Sequence, residues 1–259
     1  MDVDANMAGP RLPLVTYLAT DINAVTSSTE ATKATFLARA GQGTLPREVL
    51  SQWLSQDRLY AQAYVRFAGG LISRVQLPTA LDDGDEAREL QWRILDLLQD
   101  ALAGVTRELR FFEETAKAYG LDLAAAGGAS GFAPATATQG YIDLFDSFAA
   151  RPRAGPARTL LEGLVVLWAT ERTYLDSWGY ARDQTATEAA DLDGGALRQA
   201  FIPNWTSDEF RTFVRECEEC LDAYAKAQGV HSQAPTAPAY LALYKQVLDL
   251  EKAFWPVLE

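Results

Sequence analysis

Three carboxylates stand where helical periodicity asks for core residues. In the segment from Pro46 to about Val75 an apolar stripe runs through Leu50, Trp53, Tyr60, Tyr64, Phe67 and Leu71, advancing by threes and fours, and position 57, which completes it, is aspartate. Between 157 and 182 the stripe Leu164, Leu167/Trp168, Tyr174 and Trp178 leaves position 171 to glutamate. Near the C-terminal end, Tyr244, Val247/Leu248, Phe254/Trp255 and Leu258 leave position 251 to glutamate. An unpaired buried charge costs several kcal/mol, so each carboxyl must find a donor, keep its proton or face a solvated cavity. For any one of them a structural tie to an arginine, a tyrosine hydroxyl or a helix end is the plain alternative. Three together point instead to a polar pocket inside a helical bundle. The stripe aromatics Tyr60, Tyr174, Trp178 and Trp255 are core by default; in a pocket they would offer ring faces and hydroxyls to a flat ligand.

Other chemistries lack their residues. The single histidine, His231, lies in the loop-like run Gly229-Val230-His231-Ser232-Gln233-Ala234-Pro235, and no Glu-x-x-His occurs. A histidine-held haem or a bundle di-iron site is therefore not expected, nor is any other metal or cofactor. Cys217 and Cys220 form a Cys-Glu-Glu-Cys flanked by a third acid, Glu216, and those charges oppose a reactive thiolate. A zinc site would need a second ligand pair, so two semi-buried thiols are expected. The formal net charge of -12, from 23 Lys+Arg and 35 Asp+Glu, argues against phosphate backbones and anionic lipid as partners. No stretch approaches the roughly 18 uninterrupted apolar residues of a membrane span. The acidic opening Met1-Asp2-Val3-Asp4-Ala5-Asn6 reads as neither signal nor transit peptide, which predicts a soluble cytoplasmic protein.

The elements that must position these residues are all helical. No run shows strand periodicity, and 259 residues suffice for one core without staples. Ser27-Ser28-Thr29-Glu30 reads as a capping box opening a helix to about Ala40, ended by Gly41-Gln42-Gly43. Pro46 opens the next, to about Val75, and a third spans about Asp85 to Tyr119, stopped by Gly120. Residues 124–139 read as a flexible surface connection. Further helices are expected over about 138–149, 157–182, 195–201, 207–228 and 238–258. Short Pro/Gly-rich loops fall at Arg151 to Pro156 and Gln228 to Pro238. The chain reads as an N-terminal arm, 1–26, and one all-α domain, 27–259.

Several stretches resemble the TenA / thiaminase II family. Gly43-Thr44-Leu45-Pro46 followed by Gln56-Asp57-Arg58-Leu59-Tyr60 is similar to its Gly-x-Leu-Pro turn and Gln-Asp-x-x-Tyr helix. Glu108-Leu109-Arg110-Phe111 to Tyr119-Gly120-Leu121 resembles its third helix, and Glu251-Lys252-Ala253-Phe254-Trp255 its C-terminal Glu-x-x-Phe-Trp. The resemblance implies a bundle of seven to eight helices of the haem-oxygenase-like type, without haem, self-associated as a dimer or tetramer. It also implies thiamin salvage, by hydrolysis of a C–N bond to release a hydroxymethyl-aminopyrimidine. On that resemblance Asp57 and Tyr60 orient the ring, Glu251 is the acid/base, Glu171 activates water, and Tyr141, Tyr174, Trp205 and Trp255 shape the walls.

Two departures bear on mechanism. Where thiaminase members carry a Leu-Pro-Cys nucleophile, Leu160-Leu161-Glu162-Gly163-Leu164-Val165 has no cysteine, so covalent displacement by that thiolate is unavailable. In Phe201-Ile202-Pro203-Asn204-Trp205, tryptophan replaces a family tyrosine, keeping a ring face and losing a hydroxyl. Glu171 and Tyr174 place the chain nearer the family's cysteine-less branch. A pyrimidine-binding or interaction module that has kept the pocket and lost the activity is the alternative.

Overall fold

Ten α-helices form the described part of the chain in a computed structural model that covers residues 10–79, 86–125, 127–128, 131–149, 158–186 and 188–258. They are α1 (Leu14–Thr20), α2 (Ile22–Thr32), α3 (Thr35–Gly41), α4 (Arg47–Ile72) and α5 (Glu86–Tyr119), then α6 (Thr136–Asp146), α7 (Leu160–Asp183), α8 (Ile202–Trp205), α9 (Asp208–Ala227) and α10 (Ala237–Phe254). The exceptions are a π-helical turn, Leu197–Phe201, and a two-residue antiparallel pair, β1 (Gly127–Gly128) with β2 (Gly131–Phe132). That pair falls within the expected surface connection. The all-α bundle expected from periodicity is present, and no described helix is long and apolar enough to cross a membrane.

The stripes become the core. On α4, Leu50, Trp53, Tyr64, Phe67 and Leu71 are buried, and the α7 and α10 stripes meet them through Leu164, Leu167, Trp178, Val247 and Leu248. An aromatic seam runs through the centre: Trp53 stacks on Trp255 with ring centroids 5.5 Å apart and meets Trp178 edge-on at 5.4 Å. Helix α7 opens with a true capping box, in which Thr159 accepts from the Glu162 backbone N–H while the Glu162 carboxylate accepts from that of Thr159.

The N-terminal segment departs from the sequence reading. The helix expected over 27–40 is two helices broken at Lys33 and Ala34, and Ser27 to Glu30 lie inside α2 rather than capping it. Asp21 is the cap, accepting from the N–H groups of Asn23 and Ala24 at 3.1 Å each, where a carboxylate also meets the positive end of the helix dipole. Hydroxyls in and just after the run from Ser27 to Glu30 bond back down the helix, Thr29 to the Val25 carbonyl and Thr32 to that of Ser28. Within the stretch read as an arm, Leu14, Val15 and Leu18 are buried, and the Val15 N–H donates to Asp222 of α9 at 2.9 Å. The acidic run 1–6 and the loop 151–156 lie outside the described residues.

Two glycines set the junction before α4. Gly43 has φ +67°, the left-handed conformation that lets the chain turn between α3 and Pro46. Gly41 packs so closely on α7 that a Cβ there would sit 1.8 Å from the Ala181 carbonyl oxygen. Gly41→Ala must push two helices apart, and should cost about 3 kcal/mol, lowering Tm by roughly 6–12 °C in scanning calorimetry. An unchanged Tm would show that the junction yields without resistance.

Candidate active site

A cavity of about 790 Å³ opens between α4, α5, α7, α8 and α9. Asp57, Tyr60 and Tyr64 of α4, Glu108 of α5, Glu171 and Tyr174 of α7, and Trp205 of α8 line its interior. The α9 residues Phe210 and Phe213 close one side, and charged residues including Asp100, Arg107, Glu209 and Glu216 also line it. Helix periodicity brings these groups together: 57, 60, 61 and 64 share one face of α4, and 170, 171 and 174 one face of α7.

Each interior carboxyl is gripped by one aromatic donor. The Tyr174 hydroxyl donates to Asp57 Oδ2 at 3.1 Å, the Tyr64 hydroxyl to Glu171 Oε1 at 2.6 Å, and the Trp205 indole N–H to Glu108 Oε1 at 2.7 Å. Burial raises the affinity of all three for protons. Glu171 is pushed up to about 8 despite the opposing Tyr64 hydrogen bond, with Glu108 and Glu251 adding like-charge repulsion. Glu108 rises to about 7, and Asp57 lies well above the usual carboxylate range because it is buried and faces Glu108. A carboxyl near neutrality can give or take a proton at physiological pH.

Of the residues singled out from sequence, Asp57, Tyr60, Glu171, Tyr174 and Trp205 share this wall. Glu251 and Tyr141 form a second pair behind it: the Tyr141 hydroxyl donates to Glu251 Oε2 at 2.6 Å, and Tyr141 meets the wall residue Tyr60 edge-on at 4.9 Å. Glu251 is 3% exposed, its Oε1 has no hydrogen-bond partner among the described residues, and burial pushes it up to about 7. Trp255 is not brought to the cavity. Its indole N–H donates to the Ala31 carbonyl at 2.7 Å and its ring stacks on Phe36 and Trp53, so it joins helices rather than meeting a ligand.

Sequence reasoning missed Glu108 and the donor role of Tyr64. The signal was present: on α5 the buried stripe Ile94, Leu97/Leu98, Ala101, Val105, Phe112 and Thr115 leaves position 108 to glutamate, as on the other three helices. The tryptophan at 205 also loses less than a hydroxyl, since its N–H supplies the donor. It is held by Phe201 of the π-helical turn, stacked at 4.9 Å, and the first residue of that turn is tied where the Asp193 carboxylate accepts from the Leu197 N–H at 2.7 Å. Gln56 serves structure rather than the cavity, its amide clamping the Ala133 carbonyl and the Ala135 N–H ahead of α6.

Both cysteines are buried and free. Cys217 lies near Glu171, but burial first and that carboxylate second push its thiol well above the usual range, which opposes a thiolate. His231 sits in its expected loop, Nδ1 accepting from the Gln233 N–H at 3.2 Å. Among the described residues no three His, Cys, Asp or Glu side chains are close enough to hold a metal ion.

The fold and cavity define an all-α protein of the haem-oxygenase-like class whose internal pocket combines carboxyls with aromatic donors. Residues 28–258 match the model of the TENA/THI-4/PQQC family, and the chain belongs to that family. A Fusarium pseudograminearum protein named "Probable transcription factor" is 32% identical over 88% of this chain, which spans 49% of that longer protein. A Glycine max "Probable bifunctional TENA-E protein" is 20% identical, covering 87% of this chain and 85% of its own. Among solved structures, a TenA homologue from Pyrococcus furiosus superposes with a TM-score of 0.70 at 20% identity, over 93% of this chain and 98% of that one.

Proposed function

We propose that the protein acts in thiamin salvage, hydrolysing the C–N bond that joins an amino or formylamino group to the methylene of an aminopyrimidine, without a cysteine nucleophile. The observation that carries this reading is that Asp57 and Glu171 face one aromatic cavity, each held by a tyrosine hydroxyl. A carboxyl that keeps its proton is complementary to an aminopyrimidine edge: its O–H donates to the ring nitrogen while its carbonyl oxygen accepts from the amino group. Asp57, with its raised proton affinity, suits that pairing. Water attacks the methylene carbon as the C–N bond breaks, one water proton passing to a carboxylate and a carboxylic acid protonating the leaving nitrogen where it is not already charged. Glu171, on the wall and with the higher proton affinity, is the acid. Glu251 is the base, and it stands behind Tyr60, so its part requires that ring to turn aside on binding.

The likeness to part of a longer protein named as a transcription factor favours a second reading, in which the cavity senses such a pyrimidine and does not turn it over. Calorimetric affinity for the hydroxymethyl-aminopyrimidine, measured beside product formation from its aminomethyl analogue, separates the two. The enzyme reading expects binding and turnover; binding alone supports the sensor, and neither result leaves the shared fold without the shared ligand. Asp57→Asn presents the wrong donor and acceptor pattern, and should weaken binding by about 1–3 kcal/mol in either case.

A further inference from the structure

We propose that Glu108 is a cation anchor, so that the cavity takes flat ring ligands whose side arm is a protonated amine and discriminates against neutral and phosphorylated counterparts. The inference rests on the reading of this cavity as a ring-binding site and adds which charge the ligand must carry. Seven carboxylates line the cavity against a single guanidinium, Arg107. That arginine is already engaged, its Nη2 lying 3.2 Å from Glu209 Oε1, and both side chains are exposed, so it leaves the interior uncompensated. Within, each of the three carboxyls receives one donor; Asp57 and Glu171 already serve the ring edge and the proton transfer, which leaves Glu108, held by the Trp205 indole on Oε1. No hydrogen bond reaches Glu108 Oε2 among the described residues, although the side chain is half-buried on the cavity wall.

The indole N–H fixes the carboxylate in one orientation and leaves the second oxygen to a ligand. Trp205 also contributes to the aromatic wall, with Tyr174 edge-on to it at 5.4 Å, so a ring against these faces can place an arm at Glu108. A cation arriving at Glu108 favours release of that carboxyl's proton and forms a charge-assisted hydrogen bond with it, while a cavity whose one arginine is already engaged offers nothing to hold a phosphate. The carboxylates are too dispersed for three of them to hold a metal ion, which suits an extended organic cation. For an aminomethyl substrate the consequence is chemical as well: the leaving nitrogen arrives carrying its proton and departs as a neutral amine.

The test compares two matched pairs by calorimetry or NMR titration: aminomethyl- against hydroxymethyl-aminopyrimidine, and benzylamine against benzyl alcohol. Wild type should prefer the ammonium member of each pair by about tenfold or more, the scale of a charge-assisted hydrogen bond. Glu108→Gln keeps an acceptor for Trp205 and should bring both ratios to within about threefold of one, whereas Glu108→Asp, which keeps the charge, should retain most of the preference. An equal preference in wild type, or a preference that survives Glu108→Gln, overturns the proposal. The second pair keeps the two readings apart: a preference for benzylammonium lost in Glu108→Gln, with no pyrimidine bound or turned over, upholds the anchor and rejects the aminopyrimidine.

Discussion

Glu171→Gln is expected to lower kcat for a formylaminomethyl-aminopyrimidine, whose leaving nitrogen carries no charge of its own, by about 10²–10⁴-fold, the contribution of a positioned acid. Its affinity for the hydroxymethyl product should change by less than about threefold. The amide keeps an acceptor for the Tyr64 hydroxyl, which donates to Oε1 at 2.6 Å, so the wall retains its shape while the transferable proton is lost. A group acting mainly in the transition state lowers kcat and kcat/KM together and leaves ground-state binding nearly untouched. Glu251→Gln, assayed in parallel, decides whether the second carboxyl takes part. A comparable loss of kcat would mean that Tyr60 does move aside. An undiminished kcat would reduce the Tyr141–Glu251 pair to a structural hydrogen bond behind the wall, and a large loss of product affinity in Glu171→Gln would recast that residue as a binding group.

Both glutamates are legible in the amino-acid sequence, and the reason is physical. A carboxylate costs too much to bury idly, so Asp57, Glu171 and Glu251 stand out against apolar stripes, and all three are gripped by tyrosine hydroxyls. Which of them meets a ligand is not legible there. Position along a helix fixes the face, but whether that face meets a cavity or another helix depends on partners more than 100 residues away, such as Tyr141 for Glu251. Trp255 misleads for the same reason: it lies on the right stripe, one residue past the end of α10, and packs inward on Phe36 and Trp53. The N-terminal helices escape a sequence reading because α1 has only seven residues and no side-chain cap, while Asp21, which caps α2, is overshadowed by the Ser/Thr run after it.

Stability should fall as pH rises through neutrality, which follows from the same buried carboxyls. A glutamate whose folded-state pKa is raised from 4.5 holds its proton in the native state over a range where the unfolded chain has released it. The native state then binds more protons, and unfolding free energy declines with rising pH until the folded pKa is passed. Glu251, raised to about 7 and almost wholly buried, contributes about 2–3 kcal/mol of this decline between pH 5 and pH 8. Glu108 and Glu171, raised to about 7 and about 8, act in the same direction, with smaller effect because cavity water screens them. Urea unfolding at pH 5 and pH 8 measures the slope, and Glu251→Gln should flatten it and make the variant the more stable protein at pH 8. If the wild type is instead more stable at pH 8, Glu251 is ionised and compensated in the native state. It would then not be the carboxyl of raised proton affinity, with one oxygen lacking a hydrogen-bond partner among the described residues, that its burial implies.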